Sequence, residues 1–261
     1  MADSGFKSPL IDFFRRGEVA RDIRLQAAQG ALAPRAQEQI GLLVLLSDDP
    51  DPEIKRATAE TLAALPLESL RGFLARSDTP PETVQFFAAL GIEVPPGTPP
   101  PATPAELDEP LVDTLAELPP DPAPADPEHK ALSTLSVLDR MKLAMRGTRE
   151  QRSTLIRDSN KLVSAAVLSS PKVNESEIEQ FTKMGNVSED VLRIIGMNRG
   201  WVKNYGVAHG LCKHPKTPPA ISMHLVHRLT EKDLKMLAND RNAKEGLRLL
   251  AKKLIVKSKH G

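Results

Sequence analysis

The chain has 261 residues, 40% apolar but only 3% aromatic, with 35 Lys and Arg against 34 Asp and Glu. That length suits one or two domains with a sizeable core, and the scarcity of aromatic and β-branched runs excludes a sandwich or barrel in favour of helices packed through Leu, Ile, Val, Ala and Met. The near-neutral total hides a split: residues 1–130 hold 11 basic and 22 acidic side chains, a balance of −11, and residues 131–261 hold 24 and 12, a balance of +12.

In chain order, Ser8-Pro9 starts a helix that Gly17 stops. A second helix reads from Glu18 to Ala33, and Pro34 opens a third through Leu46. Its apolar run, Ile40 to Leu46, is the longest in the chain and far too short to cross a membrane. Asp48-Asp49-Pro50-Asp51-Pro52 is a turn, followed by helices from Glu53 to Ala64 and from Pro66 to Arg76. A unit starting at Thr79 closes the series at Leu90-Gly91. These short helices define a helical-repeat module over residues 1–92.

Residues 93–130 carry 12 of the 23 prolines and nine acidic residues, which predicts an extended acidic linker that is disordered. Within it Leu107, Leu111, Leu115 and Leu118 recur at helical spacing, with Asp108 as a cap. They predict a short amphipathic helix, resting on its own domain or recognising a groove on another protein. A basic helical-repeat module follows over residues 131–261, with a helix from Thr134 to Arg146 that Gly147 stops and Thr148 as the next cap.

One phrase recurs. Thr79-Pro80-Pro81-Glu82-Thr83-Val84-Gln85-Phe86-Phe87 matches Thr217-Pro218-Pro219-Ala220-Ile221-Ser222-Met223-His224-Leu225. Each reads as a capping Thr, a Pro in the first turn and apolar residues one and two turns on. Taking Val173, Val187, Thr217 and Asn242 as equivalent places Phe181, Ile195, Leu225 and Leu250 eight residues beyond them. Repeated short helical units imply a stacked array, and such arrays bind other molecules.

Trp201-Val202-Lys203-Asn204-Tyr205-Gly206-Val207-Ala208, followed by Lys213-His214-Pro215-Lys216-Thr217-Pro218-Pro219, resembles a leucine-rich-variant repeat. Asp49-Pro50-Asp51-Pro52-Glu53-Ile54-Lys55-Arg56 resembles the opening of the same unit, or of a HEAT repeat. The resemblance implies a right-handed α-solenoid used for protein–protein contact. Some leucine-rich-variant proteins carry a cysteine-bound iron–sulfur cluster; with Cys212 as its one cysteine, this chain does not inherit that feature.

Chemistry-bearing residues cluster in the second half. His209-x-x-Cys212 and His224-x-x-His227 have spacings open to zinc, which needs three or four ligands converging at ~2.0–2.3 Å; the competing reading is scattered repeat positions. Cys212 beside His214 has the composition of a thiolate–base pair without a third, orienting group. No phosphate-binding glycine loop and no Gly-x-Ser-x-Gly elbow occurs. Arg146, Arg149 and Arg152, then Lys203, Lys213 and Lys216, are candidates for phosphate or acidic-protein contact. Trp201 is either core packing between repeats or an interface anchor.

The sequence therefore predicts an all-α protein: two helical-repeat modules joined by a Pro-rich acidic linker that lies over the basic module. The expected function is a non-enzymatic scaffold or adaptor binding another protein, with nucleic-acid binding by residues 131–261 as the alternative. No cofactor is expected. Met1 to Leu10 shows no apolar signal region, so a cytoplasmic setting is expected.

Overall fold

In the computed structural model, which describes residues 4–33, 35–94, 109–112, 132 and 134–258, sixteen α-helices and one 3-10 turn carry the chain, and no strand occurs among the described residues. The protein is all-α. Two compact units divide it: Met1–Arg152 with Ala165–Lys172, and Ser153–Ser164 with Val173–Gly261.

The first unit holds α1 (Pro9–Arg15), α2 (Arg21–Ala28), α3 (Ala36–Leu46), α4 (Pro52–Ala64), α5 (Leu67–Leu74), α6 (Pro81–Ala89) and α7 (Val137–Arg146). The division itself runs through α8 (Arg149–Leu155) and α9 (Lys161–Ser169). Ser8 caps α1 by accepting the Ile11 N–H at 3.2 Å, and Gly17, at φ +72°, ends it. α3 is the centre. Residues Glu38 to Leu46 are buried on every face, with α1, α2, α4 and α6 packed around them. Each fully buried Leu or Ile there contributes about 1.5–3 kcal/mol. Gly41 lets α1 approach: a Cβ there would lie 2.6 Å from Ile11 Cδ1. The core is less purely aliphatic than composition suggests, because Phe6, Phe13, Phe14, Phe73 and Phe87 are all buried in this unit.

The Asp-rich turn before α4 is tied to α2. Asp49, 3% exposed, accepts from Arg24 at 2.5 Å and from the Asp51 N–H at 2.9 Å. Arg21 pairs with Asp51 at 2.6 Å and with Glu53. A buried carboxylate survives only with such partners.

Residues 109–112 of the expected linker also belong to this unit. Gln39, buried on α3, donates from Nε2 to the Val112 carbonyl at 2.7 Å, and its Oε1 accepts the Val112 N–H at 3.0 Å. The backbone there is bent rather than helical. At Leu111 this corrects the expected amphipathic helix: Pro110 opposes helical geometry before it, and a side chain, not a helical carbonyl, satisfies Val112. Leu107, Leu115, Leu118 and most of the linker lie outside the described residues, as does the expected linker contact with the basic half.

The second unit contains α10 (Glu175–Lys183), α11 (Glu189–Met197), α12 (Arg199–Val202), α13 (Tyr205–Lys213), α14 (Pro219–Leu225), a 3-10 turn at Val226–Arg228, α15 (Glu231–Asn239) and α16 (Glu245–Ser258). α13 packs on α10, α11 and α14; α14 packs on α11 and α16; α15 packs on α16. Four of these helices have nine residues each. They end alike. At Met184, Asn198, His214 and Asp240 ψ turns from helical to 110°, 106°, 124° and 115°, so the chain leaves the helix without a glycine.

The side chain at that position usually accepts the N–H two residues on: Asn198 from Gly200 at 2.9 Å, His214 from Lys216 at 3.1 Å, Asp240 from Asn242 at 2.9 Å. The same turn occurs at Asp49, Asp158 and Ser170. Counted from Ser170, Met184, His214 and Asp240, the next helix starts five residues later at Glu175, Glu189, Pro219 and Glu245; it starts three residues after Asp49 and Asp158 and one after Asn198. Ala243, buried, is therefore the equivalent of Thr217; the exposed Asn242 is one residue out of register. The capping role expected of the repeated Thr is corrected as well. In both copies the first of two prolines takes the cap position, because a residue before Pro is held extended. Thr79 instead donates to the Phe73 carbonyl at 2.8 Å, and the buried Thr217 hydroxyl has no hydrogen-bond partner among the described residues. The deep apolar positions eight residues after each Thr, Phe87 and Leu225, are buried as expected.

Gly206 and Gly210, one turn apart on α13, set its approach to α10. A Cβ at Gly206 would fall 2.3 Å from Glu179 Cδ, and one at Gly210 2.0 Å from Thr182 Oγ1. Gly210→Ala should therefore destabilise the second unit by about 1–3 kcal/mol in urea unfolding. Gly185→Ala, with open space around it, should stay within about 0.5 kcal/mol of the parent.

His214 is held neutral. Its Nδ1 accepts from Lys216, so Nε2–H donates to the Met184 carbonyl at 3.1 Å, and burial pushes its pKa below 6.5. The unfolded chain then takes up a proton that the folded chain resists, so stability falls as pH drops below 6.5 and levels off beneath the folded pKa. Denaturation series at about pH 7.5 and about pH 5.5 should show this decline in the parent and a smaller one in His214→Asn, which keeps an acceptor for Lys216.

Candidate functional site

The second unit carries a polar cluster that joins α13 to α15. Asn204 caps α13 by accepting the Gly206 N–H at 2.8 Å, which places Tyr205 at the first helical position and His209 one turn later on the same face. Thr230 caps α15 by accepting the Asp233 N–H at 3.3 Å. In a reciprocal cap the third-residue carboxylate would take the Thr230 N–H. Here the Tyr205 phenol is inserted between them. The Thr230 N–H donates to Tyr205 Oη at 3.1 Å, and Tyr205 Oη donates to Asp233 Oδ2. The Thr230 hydroxyl also donates to Asp233, at 2.9 Å.

His209 stacks on Tyr205, rings 6.2 Å apart and 14° from parallel, with Nε2 3.6 Å from Asp233 Oδ1. The Tyr205 hydrogen bond, then that from Thr230 and the nearby His209 and Lys232, hold the Asp233 carboxyl below its usual range against the opposing effect of burial. The positive end of α15 acts in the same direction. The cluster locks two helices through a half-open aromatic face: Tyr205 remains 40% exposed.

The basic residues divide by environment. Arg152 is buried and donates to the carbonyls of Gly147 at 2.9 Å and Lys172 at 3.4 Å, so it braces two turns instead of facing solvent. Arg146 is half-buried and Arg149 exposed. Lys203, Lys213 and Lys216 are exposed around α13. Trp201 is half-buried on α12, between its two expected roles. Sequence reasoning passed over Arg228, which donates to the carbonyls of Val202 and, at 3.0 Å, of Lys203, closing α12.

The expected metal and thiolate residues are held apart. Cys212 is buried, with Sγ 3.6 Å from the Ser222 carbonyl, and burial pushes its thiol up to about 12. His214 is directed at Met184, His209 belongs to the Tyr205 cluster, and His224 and His227 are exposed. Among the described residues no group of three or more His, Cys, Asp or Glu is arranged to hold a metal ion, and none of their helices is long and apolar enough to cross a membrane.

Exposed apolar side chains occur on three further helices of the second unit. Met197 on α11, Met223 on α14 and Leu249 on α16 are 72%, 41% and 58% exposed. Their helices lie side by side: a Cβ at Gly196 would meet Ile221 at 2.5 Å, and one at Gly246 would meet Met223 Cε at 3.5 Å. No family model, no curated protein and no solved structure matches this chain.

Asp233→Asn tests the cluster's charge. The ionised carboxylate stabilises the fold fully above its unfolded value of 3.8, and that contribution is lost as pH falls through the lower folded value. Unfolding midpoints should therefore drop more steeply from about pH 5 to about pH 3 in the parent than in the variant.

Proposed function

We propose that this chain is a non-enzymatic scaffold or adaptor, built of leucine-rich-variant or HEAT-like helical repeats, that binds another protein through the surface of its second unit. In this reading α10, α13 and α15 form one row of an α-solenoid, and α9, α11, α14 and α16 the other. The recurrence of one side-chain-capped turn, with the next helix starting five residues on after Ser170, His214 and Asp240, supports the repeat reading. So does the Lys161–Asp190 pair at 2.8 Å, which ties α9 to α11.

The observation that carries the binding reading is the set Met197, Met223 and Leu249, exposed on three neighbouring helices. Methionine is flexible and polarisable, and it suits surfaces that adapt to a partner. Exposed Lys203, Lys213 and Lys216 give the same unit a basic rim, which favours an acidic partner surface. The reading includes a reducing, cytoplasmic setting, consistent with the free thiol of Cys212.

Affinity capture from native extract with the full chain, against a Met197→Ser, Met223→Ser, Leu249→Ser variant, tests it. The parent should retain a protein that the variant loses by at least about 10-fold, with unfolding within roughly 1.5 kcal/mol of the parent, as three exposed positions warrant. Equal retention by both would remove the reading. Retention of nucleic acid alone, with a steep salt dependence, would replace it with the nucleic-acid alternative.

A further inference from the structure

Gln39 is 1% exposed on the central helix of the first unit, yet both ends of its carboxamide engage a backbone 73 residues away. Nε2 donates to the Val112 carbonyl at 2.7 Å and lies 3.5 Å from the Gly30 carbonyl, while Oε1 accepts from the Val112 N–H at 3.0 Å. The carboxamide thereby pairs with both hydrogen-bonding groups of Val112, much as a neighbouring strand would. Main-chain pairing of this kind gives affinity without reading side chains, and pockets for adjacent side chains add selectivity. Leu111 and Val112 are half-buried here, and Pro110 keeps the preceding backbone extended. Gly30, at φ +81°, turns the chain after α2 so that its carbonyl faces the same carboxamide.

We propose that Gln39 and the Gly30 turn form a peptide-docking site for an extended, proline-led aliphatic segment, and that its resident occupant is this chain's own Pro110-Leu111-Val112, bound in cis. The segment acts as a tethered pseudo-ligand. Its high effective concentration keeps out free peptides of the same chemistry.

The probe is a fluorescein-labelled synthetic peptide with the sequence of residues 106–114, titrated by anisotropy into the full chain. Pro110→Gly, Leu111→Gly, Val112→Pro empties the site, because proline removes the N–H that Gln39 Oε1 accepts and the aliphatic side chains of the segment are lost. The emptied chain should bind the peptide at least about 10-fold more tightly than the parent does. Adding Gln39→Leu, or methylating the peptide nitrogen of the Val112 equivalent, should abolish that binding. Failure of the emptied chain to bind, or equal binding of the methylated peptide, overturns the proposal. Hydrogen exchange on the unaltered chain gives an arm that needs no variant: slow exchange of the Val112 amide is expected, and exchange at the rate of an unstructured peptide refutes the site. Light scattering that shows a dimer lost on emptying the site would assign the occupant to a second copy and refute binding in cis.

Discussion

The second unit depends on helices too short to stand alone. Nine residues form barely two and a half turns, and isolated helices of that length are unstable in water. They persist because each buries its apolar stripe against neighbours: Ile178 and Phe181 on α10, Val191, Leu192 and Ile195 on α11, Val207, Ala208 and Leu211 on α13. That arrangement requires the chain to leave each helix sharply and re-enter the next at a set angle. One residue achieves it, by an extended ψ and a side chain that caps the N–H two positions on. Asn, Asp, Ser and His fill this position with an acceptor at the right reach, while Met184 turns the chain with the same extended ψ and no such acceptor. Burial of His214 makes that turn depend on the protonation of its imidazole.

Buried polar groups serve a related end in the first unit. Gln39, Asp49, Thr83 and Arg152 are each buried, and each secures a segment that is not helical. Thr83 donates to the Ser4 carbonyl at 2.6 Å and fixes the segment before α1; Arg152 braces the turns after α7 and α9. Removing such a partner would orphan a buried carbonyl or amide, at about 1–3 kcal/mol each. Tyr205 extends the principle across helices. Its phenol completes the cap of α15, so an exposed aromatic side chain is held rigid with little freedom left to lose on binding.

Much of the architecture was legible in the residues themselves. Ser8-Pro9 and Gly17 mark the ends of α1, Asp51-Pro52 the start of α4, and Ser136 and Gly147 the ends of α7. The Gly206-x-x-x-Gly210 spacing is a local signal of close helix approach, because two glycines one turn apart leave that face of the helix without side chains. The candidate site was legible only in part. His209 drew notice as a metal ligand, when its partners are a phenol and a carboxylate. Arg152 was counted among exposed cations because nothing adjacent to it in sequence tells that it faces inward.

What the sequence determined alone is therefore local: the all-α class, the positions of most helices, the turns between them and the apolar position two turns into each. These follow from backbone preferences and from side chains reaching one to four residues, whose geometry is the same wherever the segment lies. Tertiary structure decided which polar groups meet. Gln39 finds Val112 and Tyr205 finds Asp233 over separations of 73 and 28 residues. Those pairings depend on how helices pack, and packing answers to the summed burial of many side chains, which no single spacing records.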